Sequence, residues 1–499
     1  MDTCNMKEKN QCGVMKYRSF FQQGNLMISN SLRKSLVESV HGKILIVLTV
    51  LGLILRLYHI SEISLWLDEA LTNYYAHLSF LDIVKIMVTE NNPPLFYWIE
   101  HILVIFGNSE FILRFVPAII GTMTIPVFYF LGREFYNRDV GIIAATLLTV
   151  STFHIYYSQE ARSFTLLLCI FSVALYFYLK ALRTNSLNSW LIFGFFSALA
   201  CWTHYYAFVM VVPLYLFVLI SRVIIGKDEF PRLKPAVLAT ILFVILSSPM
   251  LIGTIYAGSR KTALSETWGL QGINLIIDIM RVSFGSFEIV VFISGMLFLL
   301  GLIQIFRTDI DKFTFFVIAI AIPMCISYAL SYGMPIVSRY LICLLPFFFI
   351  GISCAFIAFQ HLTKNVNFLP IVVLILIITS IPSLQLYYSS NSKNGENWKN
   401  ASLNVRNLTE QGDVIVFIPG FYSIPLNYYY NNQSEKTYEF MANNRSELDT
   451  IISANKRKTV FLVVVNPDFF TSSRESIGWI KEHSILKYQE SAISIYSTG

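Results

Sequence analysis

The chain has 499 residues, of which 55% are hydrophobic and only 14% are charged. Soluble globular proteins carry about a quarter charged residues, so the composition excludes a protein built around one water-solvated core, and it also excludes intrinsic disorder. Lys and Arg number 37 against 31 Asp and Glu. In a membrane protein such a small surplus is typical of basic cytoplasmic loops, and we therefore expect no nucleic-acid partner.

The apolar runs predict a multi-pass helical membrane protein, since backbone polar groups in lipid must be paired within a helix or a closed barrel. Residues 1–42 are polar and mildly basic, and we interpret them as a cytoplasmic tail. A transmembrane module is predicted over residues 43–387. Its eleven predicted spans are 43–58, 111–132, 139–157, 163–182, 188–203, 206–225, 235–256, 289–306, 313–332, 339–359 and 367–387.

A large first external loop is predicted over residues 59–110. Within it, residues 94–107 are apolar but too short to cross, because a dozen helical residues rise about 18 Å against a hydrocarbon core of about 30 Å. If this segment lies at the membrane surface, most basic residues between spans fall on the side of the tail. We therefore expect an external juxtamembrane helix here and an external carboxyl terminus.

The composition changes at about residue 388. The apolar runs shorten to strand length at residues 414–418, 460–465 and 492–496, with helical patterns at 397–410 and 471–483. This alternation predicts a small external α/β domain over residues 388–499.

The sharpest chemical feature is the pair Asp68 and Glu69, which follows Leu65-Trp66-Leu67 in the first external loop. Adjacent helical residues point about 100° apart. One carboxylate could therefore take a proton from an acceptor hydroxyl while the other binds a metal or orients a partner. The alternative is an acidic helix start at the membrane surface.

Glu160 and Arg162 lie at a later membrane exit on the same side. An arginine there could hold a phosphate with its fork of donors, and the alternative is a local charge pair at a helix end. The neighbouring external turn contains His204 and Tyr205, and a lone histidine in such a turn is more often an interfacial residue than a catalyst.

Three external basic residues run against the positive-inside tendency: Arg260, Lys261 and Arg339. We consider them candidates for binding an anion on the outer face. Carboxylates and cations thus recur at the mouths of spans on one face. This pattern favours an interfacial enzyme acting on a lipid-linked anion over a transporter, whose ionisable groups usually lie near the bilayer midplane.

In these segments the chain resembles the GT-C membrane glycosyltransferases, in the group of dolichyl-phosphate-mannose protein mannosyltransferases and bacterial aminoarabinose transferases. The resemblance covers residue 43 to the end and is strongest over 60–210. It rests on the ordered segments 65–70, 92–97, 106–107, 110–111, 114–117, 157–162, 338–341 and 412–414.

The resemblance implies inverting transfer of a sugar, a hexose such as mannose, from a polyprenyl-phosphate carrier to a lipid, glycan or protein acceptor outside a prokaryotic cell membrane. Asp68 would be the base and Glu69 its partner, and Glu160 and Arg162 would line the same cavity. Contacts to the donor would come from His204, Tyr205, Arg260, Lys261 and Arg339. A divalent metal, held by Asp68, Glu69 and Glu160, is implied for some members and not for others. The alternative function is a flippase or exporter of lipid-linked sugars.

Overall fold

A computed structural model describes residues 39–90, 92–223, 233–261, 269–362, 368–390, 392–430, 437–465 and 474–498. A helical part comes first, and a sheet domain follows. The helices of the first part are α1 (Val40–Leu57), α2 (Leu67–Ala76), α3 (Phe80–Glu90), α4 (Leu95–Leu103), α5 (Glu110–Phe135), α6 (Arg138–Val150), α7 (Thr152–Ser158), α8 (Phe164–Thr184), α9 (Leu187–Thr203), α10 (Ala207–Val223), α11 (Leu233–Lys261), α12 (Ile273–Phe284), α13 (Glu288–Thr308), α14 (Ile310–Leu330), α15 (Leu345–Leu362) and α16 (Leu369–Tyr388).

Among the described residues, eight helical segments are long and apolar enough to cross a membrane, and a bent pair of helices makes up to nine. The protein is thus an integral, multi-pass membrane protein. Each of the eleven predicted spans coincides with a helix or the bent pair. Two of them, α9 and α10, are shorter than the rest, and the span that contains α15 begins as a 3-10 helix, Ser338–Leu344.

The predicted span 139–157 is broken, since α6 and α7 meet at Ser151 with a bend of 61°. The break leaves carbonyl groups at the end of α6 without their helical donors. Arg56 of α1 donates to two of them, the carbonyls of Leu148 (3.1 Å) and Thr149 (3.4 Å). The Ser151 hydroxyl accepts from the amide of His154 and starts the next helix. Hydrogen bonds from Arg56 and to Ser151 therefore stabilise the bend.

The loop between α1 and α5, predicted to be external, contains three short helices, α2, α3 and α4. A 3-10 turn at Val104–Phe106 extends α4, so the predicted juxtamembrane helix is present. The three helices pack through Tyr75, Ile83, Met87 and Tyr97. This packing fixes α2, which contains Asp68 and Glu69, beside the mouths of the membrane helices.

A five-stranded sheet forms the carboxy-terminal domain. Its strands are β1 (Val414–Ile418), β2 (Tyr438–Met441), β3 (Val460–Val465), β4 (Ile485–Glu490) and β5 (Ile493–Ser497), and their order in the sheet is β2-β1-β3-β5-β4. Strand β1 runs parallel to β2 and β3, whereas β5 is antiparallel to β3 and β4. Strands β1 and β3 are buried at every position. The helices of this domain are α17 (Trp398–Leu408), α18 (Ser423–Tyr429), α19 (Arg445–Ala454) and α20 (Arg474–His483).

Candidate active site

Helix α2 places the two adjacent carboxylates in its first turn, where acidic groups interact favourably with the helix dipole. The residue before the helix, Trp66, offers no side-chain cap. A distant carboxylate caps the helix instead, since Glu396 accepts a hydrogen bond from the Leu67 amide at 2.9 Å.

Glu69 is fully buried and its carboxylate is fully engaged. Arg114 donates to it from Nε at 2.7 Å and from Nη2 at 2.6 Å, and the Ala161 amide donates at 2.9 Å. Lys393 lies 3.7 Å away. Burial acts to raise the pKa of Glu69, but these cations outweigh it and hold the pKa below its ordinary value.

Arg114 also organises the loop that leads into α2. Its guanidinium donates hydrogen bonds to three backbone carbonyls, those of Ile60, Ile63 and Ser64. The pair of Glu69 and Arg114 therefore ties α2, its preceding loop and α5 into one buried unit, since every one of these contacts crosses between two elements.

Asp68 has a different environment, with 22% of its side chain exposed. Its carboxylate lies 3.4 Å from Nη2 of Arg162 and 3.8 Å from Nη2 of Arg339. The Nε atoms of both arginines are buried, and neither has a hydrogen-bond partner among the described residues. The site thus presents a partly solvated carboxylate beside two guanidinium groups with spare donors.

Aromatic side chains support the two arginines. The hydroxyl of Tyr97 accepts from Arg162 at 3.3 Å. Arg339 lies over the rings of Trp66 and Phe164, at 5.6 Å from each centroid. These contacts, from the loop between α1 and α5 and from the first residue of α8, hold both guanidinium groups beside Asp68.

Glu160 is also fully buried, but neither carboxylate oxygen has a hydrogen-bond partner among the described residues. Burial raises the pKa of Glu160 to about 7, although the nearby Lys393 acts to lower it. This carboxyl group can therefore gain or lose a proton near neutral pH.

His204 and Tyr205 lie farther from the carboxylates. The His204 ring is 5.0 Å from the ring of Tyr340 and 5.5 Å from that of Phe164, so it belongs to the aromatic layer behind the arginines. Tyr205 packs on the backbone of Gly253 in α11. The structure thus brings His204 toward the cluster and places Tyr205 against a membrane helix.

Arg260 and Lys261 were expected at the start of an external loop. They instead form the last turn of α11, because that helix continues to Lys261, and their side chains lie outside the described residues. The segment between the predicted spans 235–256 and 289–306 also contains the amphipathic helix α12. The contact of Arg260 and Lys261 with the donor stays a prediction.

Sequence reasoning missed three residues of this cluster: Arg114, Lys393 and Glu396. Arg114 lies in the segment Arg-Phe-Val-Pro, which carried the family resemblance without an assigned role. Lys393 and Glu396 flank Asn394-Gly395, a strong turn signal. That signal could have predicted an ordered turn at residues 393–396, but it could not have predicted that this turn packs against α2.

The predicted metal ligands are Asp68, Glu69 and Glu160. Among the described ranges, no group of three or more His, Cys, Asp or Glu side chains is arranged to hold a metal ion. The Glu69 oxygens are already bound by Arg114 and by the Ala161 amide. In this arrangement the three carboxylates do not fit a divalent ion, and we derive no step through one.

Residues 91–252 match the family described as dolichyl-phosphate-mannose-protein mannosyltransferase. The chain is 28% identical over 199 residues to the dolichyl-diphosphooligosaccharide–protein glycosyltransferase subunit STT3B of Arabidopsis thaliana. That match covers 39% of this chain and only 26% of the relative, so the chain spans about a quarter of that relative's length.

Solved structures match over most of the chain. ArnT from Cupriavidus metallidurans in the apo state has a TM-score of 0.57 at 12% identity, covering 92% of this chain and 99% of ArnT. A second ArnT structure, bound to undecaprenyl phosphate, gives 0.56 at 11% identity, with the same coverage. The apo oligosaccharyltransferase of Archaeoglobus fulgidus gives 0.55 at 12% identity, covering 86% of this chain and 70% of that protein. The chain has the GT-C fold that these glycosyltransferases share, and the resemblance predicted from its sequence is confirmed.

Proposed function

We propose that the protein is an inverting glycosyltransferase that moves a sugar from a polyprenyl-phosphate carrier to an acceptor at the outer face of the membrane. The observation that carries the proposal is the partly exposed carboxylate of Asp68 beside Arg162 and Arg339, at the mouths of the membrane helices. The structural neighbour ArnT supports the carrier, since one of its structures contains undecaprenyl phosphate.

The reaction needs a base and a stabilised leaving group. Asp68 accepts the proton of the acceptor hydroxyl while the hydroxyl oxygen bonds to the anomeric carbon, on the face opposite the phosphate. The bond from the anomeric carbon to the phosphate oxygen breaks, and its electron pair leaves with the phosphate. Arg162 and Arg339 then stabilise the developing charge with their spare N–H donors.

The finer assignment comes from the family resemblance. We propose a hexose such as mannose as the transferred sugar, and a lipid, glycan or surface protein as the acceptor, in a prokaryotic cell membrane with the site facing outside. The electrostatic influence of Glu69 and Lys393 on Glu160 supports the place of the second acidic motif in the same site.

The test uses membranes that contain the wild type or Asp68→Asn at matched expression. A radiolabelled undecaprenyl-phosphate mannose is supplied with a mixed extract of lipids, glycans and proteins. We expect label to leave the carrier in the wild type. The rate of transfer should be at least about 100-fold lower in Asp68→Asn, which is the lower end of the effect of removing a general base.

Matched melting temperatures in detergent show that Asp68→Asn is folded. Equal transfer by both proteins would contradict the role of Asp68. Movement of intact labelled carrier across vesicles by both proteins, without transfer, would favour the exporter alternative over the enzyme.

A further inference from the structure

A short connector, residues 392–397, joins the last membrane helix α16 to the sheet domain and folds back onto the acidic motif. Asn394 and Gly395 have φ of +51° and +74°, and Lys393 and Glu396 pair across them as an antiparallel bridge. Two central residues with positive φ match a tight hairpin turn. The turn therefore presents the Lys393 and Glu396 side chains side by side.

Glu396 holds the start of α2. One of its carboxylate oxygens, Oε2, accepts from the Leu67 amide at 2.9 Å and from the Trp398 indole at 2.8 Å. The hydroxyl of Ser64 bridges the same two segments, donating to the Glu396 carbonyl at 3.0 Å and accepting from the Trp398 amide at 3.1 Å. All of these groups are buried or nearly so.

Lys393 holds the other acidic motif. Its ammonium group donates to the Gln159 carbonyl at 2.5 Å, and it lies 3.7 Å from Glu69 and 5.1 Å from the ring centroid of Tyr156. The side chain is 97% buried, since its exposed fraction is 3%. One lysine of the connector thus joins the loop of Glu160 to the helix of Asp68.

The sheet domain fixes the connector in turn. The Ala492 amide, in the turn between β4 and β5, donates to the Gly395 carbonyl at 3.1 Å. Glu490, at the end of β4, accepts from the side chain of Asn397 at 3.0 Å. A continuous set of hydrogen bonds therefore runs from the terminal hairpin through the connector to the first turn of α2.

We propose that the connector is a clamp that orients Asp68, with Glu396 and Lys393 as positioning residues, so that the carboxy-terminal domain is required for the chemical step. This inference rests on the proposed function for its catalytic consequence and on the hydrogen bonds above for its structural part. A displacement of about 1 Å of a catalytic group can reduce a rate about 100-fold, so loosening the cap of α2 lowers kcat more than it weakens donor binding.

The test compares Glu396→Ala with Glu396→Gln in the full-length protein in detergent. The Gln side chain keeps an oxygen that can accept both hydrogen bonds, whereas Ala removes them. With radiolabelled undecaprenyl-phosphate mannose, we expect kcat to fall about 10-fold to 100-fold in Glu396→Ala, with the donor KM changed less than about threefold. Glu396→Gln should remain within about threefold of the wild type. Ser64→Ala is the milder second variant and should show a smaller loss of kcat.

Lys399→Met is the matched control. Lys399 also joins the sheet domain to the first loop, through the carbonyls of Ser61 and Glu62 and the carboxylate of Glu110, but it contacts neither α2 nor Glu69. It should leave kcat unchanged. Equal losses in Lys399→Met and Glu396→Ala, or in Glu396→Gln and Glu396→Ala, would overturn the clamp.

Amide hydrogen exchange over residues 67–71 tests the clamp without any substrate. These amides should exchange about fivefold faster or more in Glu396→Ala and at the wild-type rate in Glu396→Gln and Lys399→Met, because loss of a cap frays the first turn. Unchanged exchange in Glu396→Ala overturns the inference. If the wild type transfers no label while the exchange result holds, the proposed donor is wrong and the clamp stands.

Discussion

Asp68 and Glu69 are adjacent in the sequence, but they lie in opposite surroundings. Glu69 is fully buried, and Arg114 and the Ala161 amide bind its oxygens at 2.6–2.9 Å. Asp68 is 22% exposed, and its two arginines are 3.4 Å and 3.8 Å away. The 100° step between neighbouring helical residues turns the Glu69 carboxylate into the protein and the Asp68 carboxylate toward the solvated side of the site.

The difference separates structure from chemistry. A carboxylate held by a bidentate guanidinium and a backbone amide keeps its partners, since breaking such a buried pair leaves an uncompensated charge. A carboxylate at longer distances in a partly solvated site can release its arginines to a substrate phosphate and accept a proton. We therefore propose a positioning role for Glu69 and the chemical role for Asp68, and the following experiments test that division.

The largest effect is expected from Glu69→Gln, which leaves the charge of Arg114 buried without its counter-ion. We expect a loss of about 3–5 kcal/mol in the free energy of unfolding, measured by thermal unfolding in detergent, with transfer lost together with the fold. Asp68→Asn is the control, because partly exposed pairs contribute about 0–1 kcal/mol. A Glu69→Gln protein that melts like the wild type would show that the two environments do not differ in this way.

The next effect concerns the arginines beside Asp68. Arg162→Lys and Arg339→Lys each replace a planar fork by a point charge. Loss of a charge-assisted hydrogen bond to phosphate should lower kcat/KM for the donor about 10-fold to 100-fold, with melting temperatures unchanged. Arg183→Lys is the matched control. Arg183 pairs with Glu134 at 2.6 Å, at the opposite end of α8 from Arg162. Equal losses in all three variants would rule out a specific donor contact.

The fold could be predicted where burial leaves a continuous apolar pattern. Strands β1 and β3 are buried at every residue and coincide with the predicted runs, as does β5 within one residue. The edge strands β2 and β4 escaped prediction, because all of their residues are exposed or half-buried and form no apolar run. The broken span escaped for another reason: the bend at Ser151 depends on Arg56, which is far away in sequence.

The residues of the candidate site likewise include some that the sequence could predict and some that it could not. Asp68, Arg162 and Arg339 could be predicted to converge, because topology alone places their loops on one face, and the structure brings them within 4 Å. The connector residues Lys393 and Glu396 could not. Their partners are more than 200 residues away, and only the docking of the sheet domain creates those contacts.

A smaller effect, dependent on pH, is expected from Glu160→Gln. Burial raises the pKa of Glu160 to about 7, so the folded protein keeps a proton that the unfolded chain has already released above its ordinary pKa. The stability contributed by the protonated carboxyl group is present below that ordinary value and is lost as the pH rises through 7. The melting temperature of Glu160→Gln relative to the wild type should therefore rise by about 2–4 °C between pH 5 and pH 8. A constant difference would contradict this titration.

The smallest effect is expected from Glu100→Gln, the counterpart of the previous variant. Glu100 in α4 is fully buried, and neither of its oxygens has a hydrogen-bond partner among the described residues, as at Glu160. Here burial, with the charge of Glu69, raises the pKa well above its ordinary value, and Glu100 lacks the nearby lysine that acts on Glu160. The raised pKa favours the protonated form of Glu100, and the neutral amide of Gln reproduces a neutral acid of similar shape. The difference in melting temperature between Glu100→Gln and the wild type should correspond to less than about 1 kcal/mol, and it should vary less with pH than the difference for Glu160→Gln. A difference that grows with pH, as for Glu160→Gln, would show that Lys393 does not distinguish the two carboxyl groups.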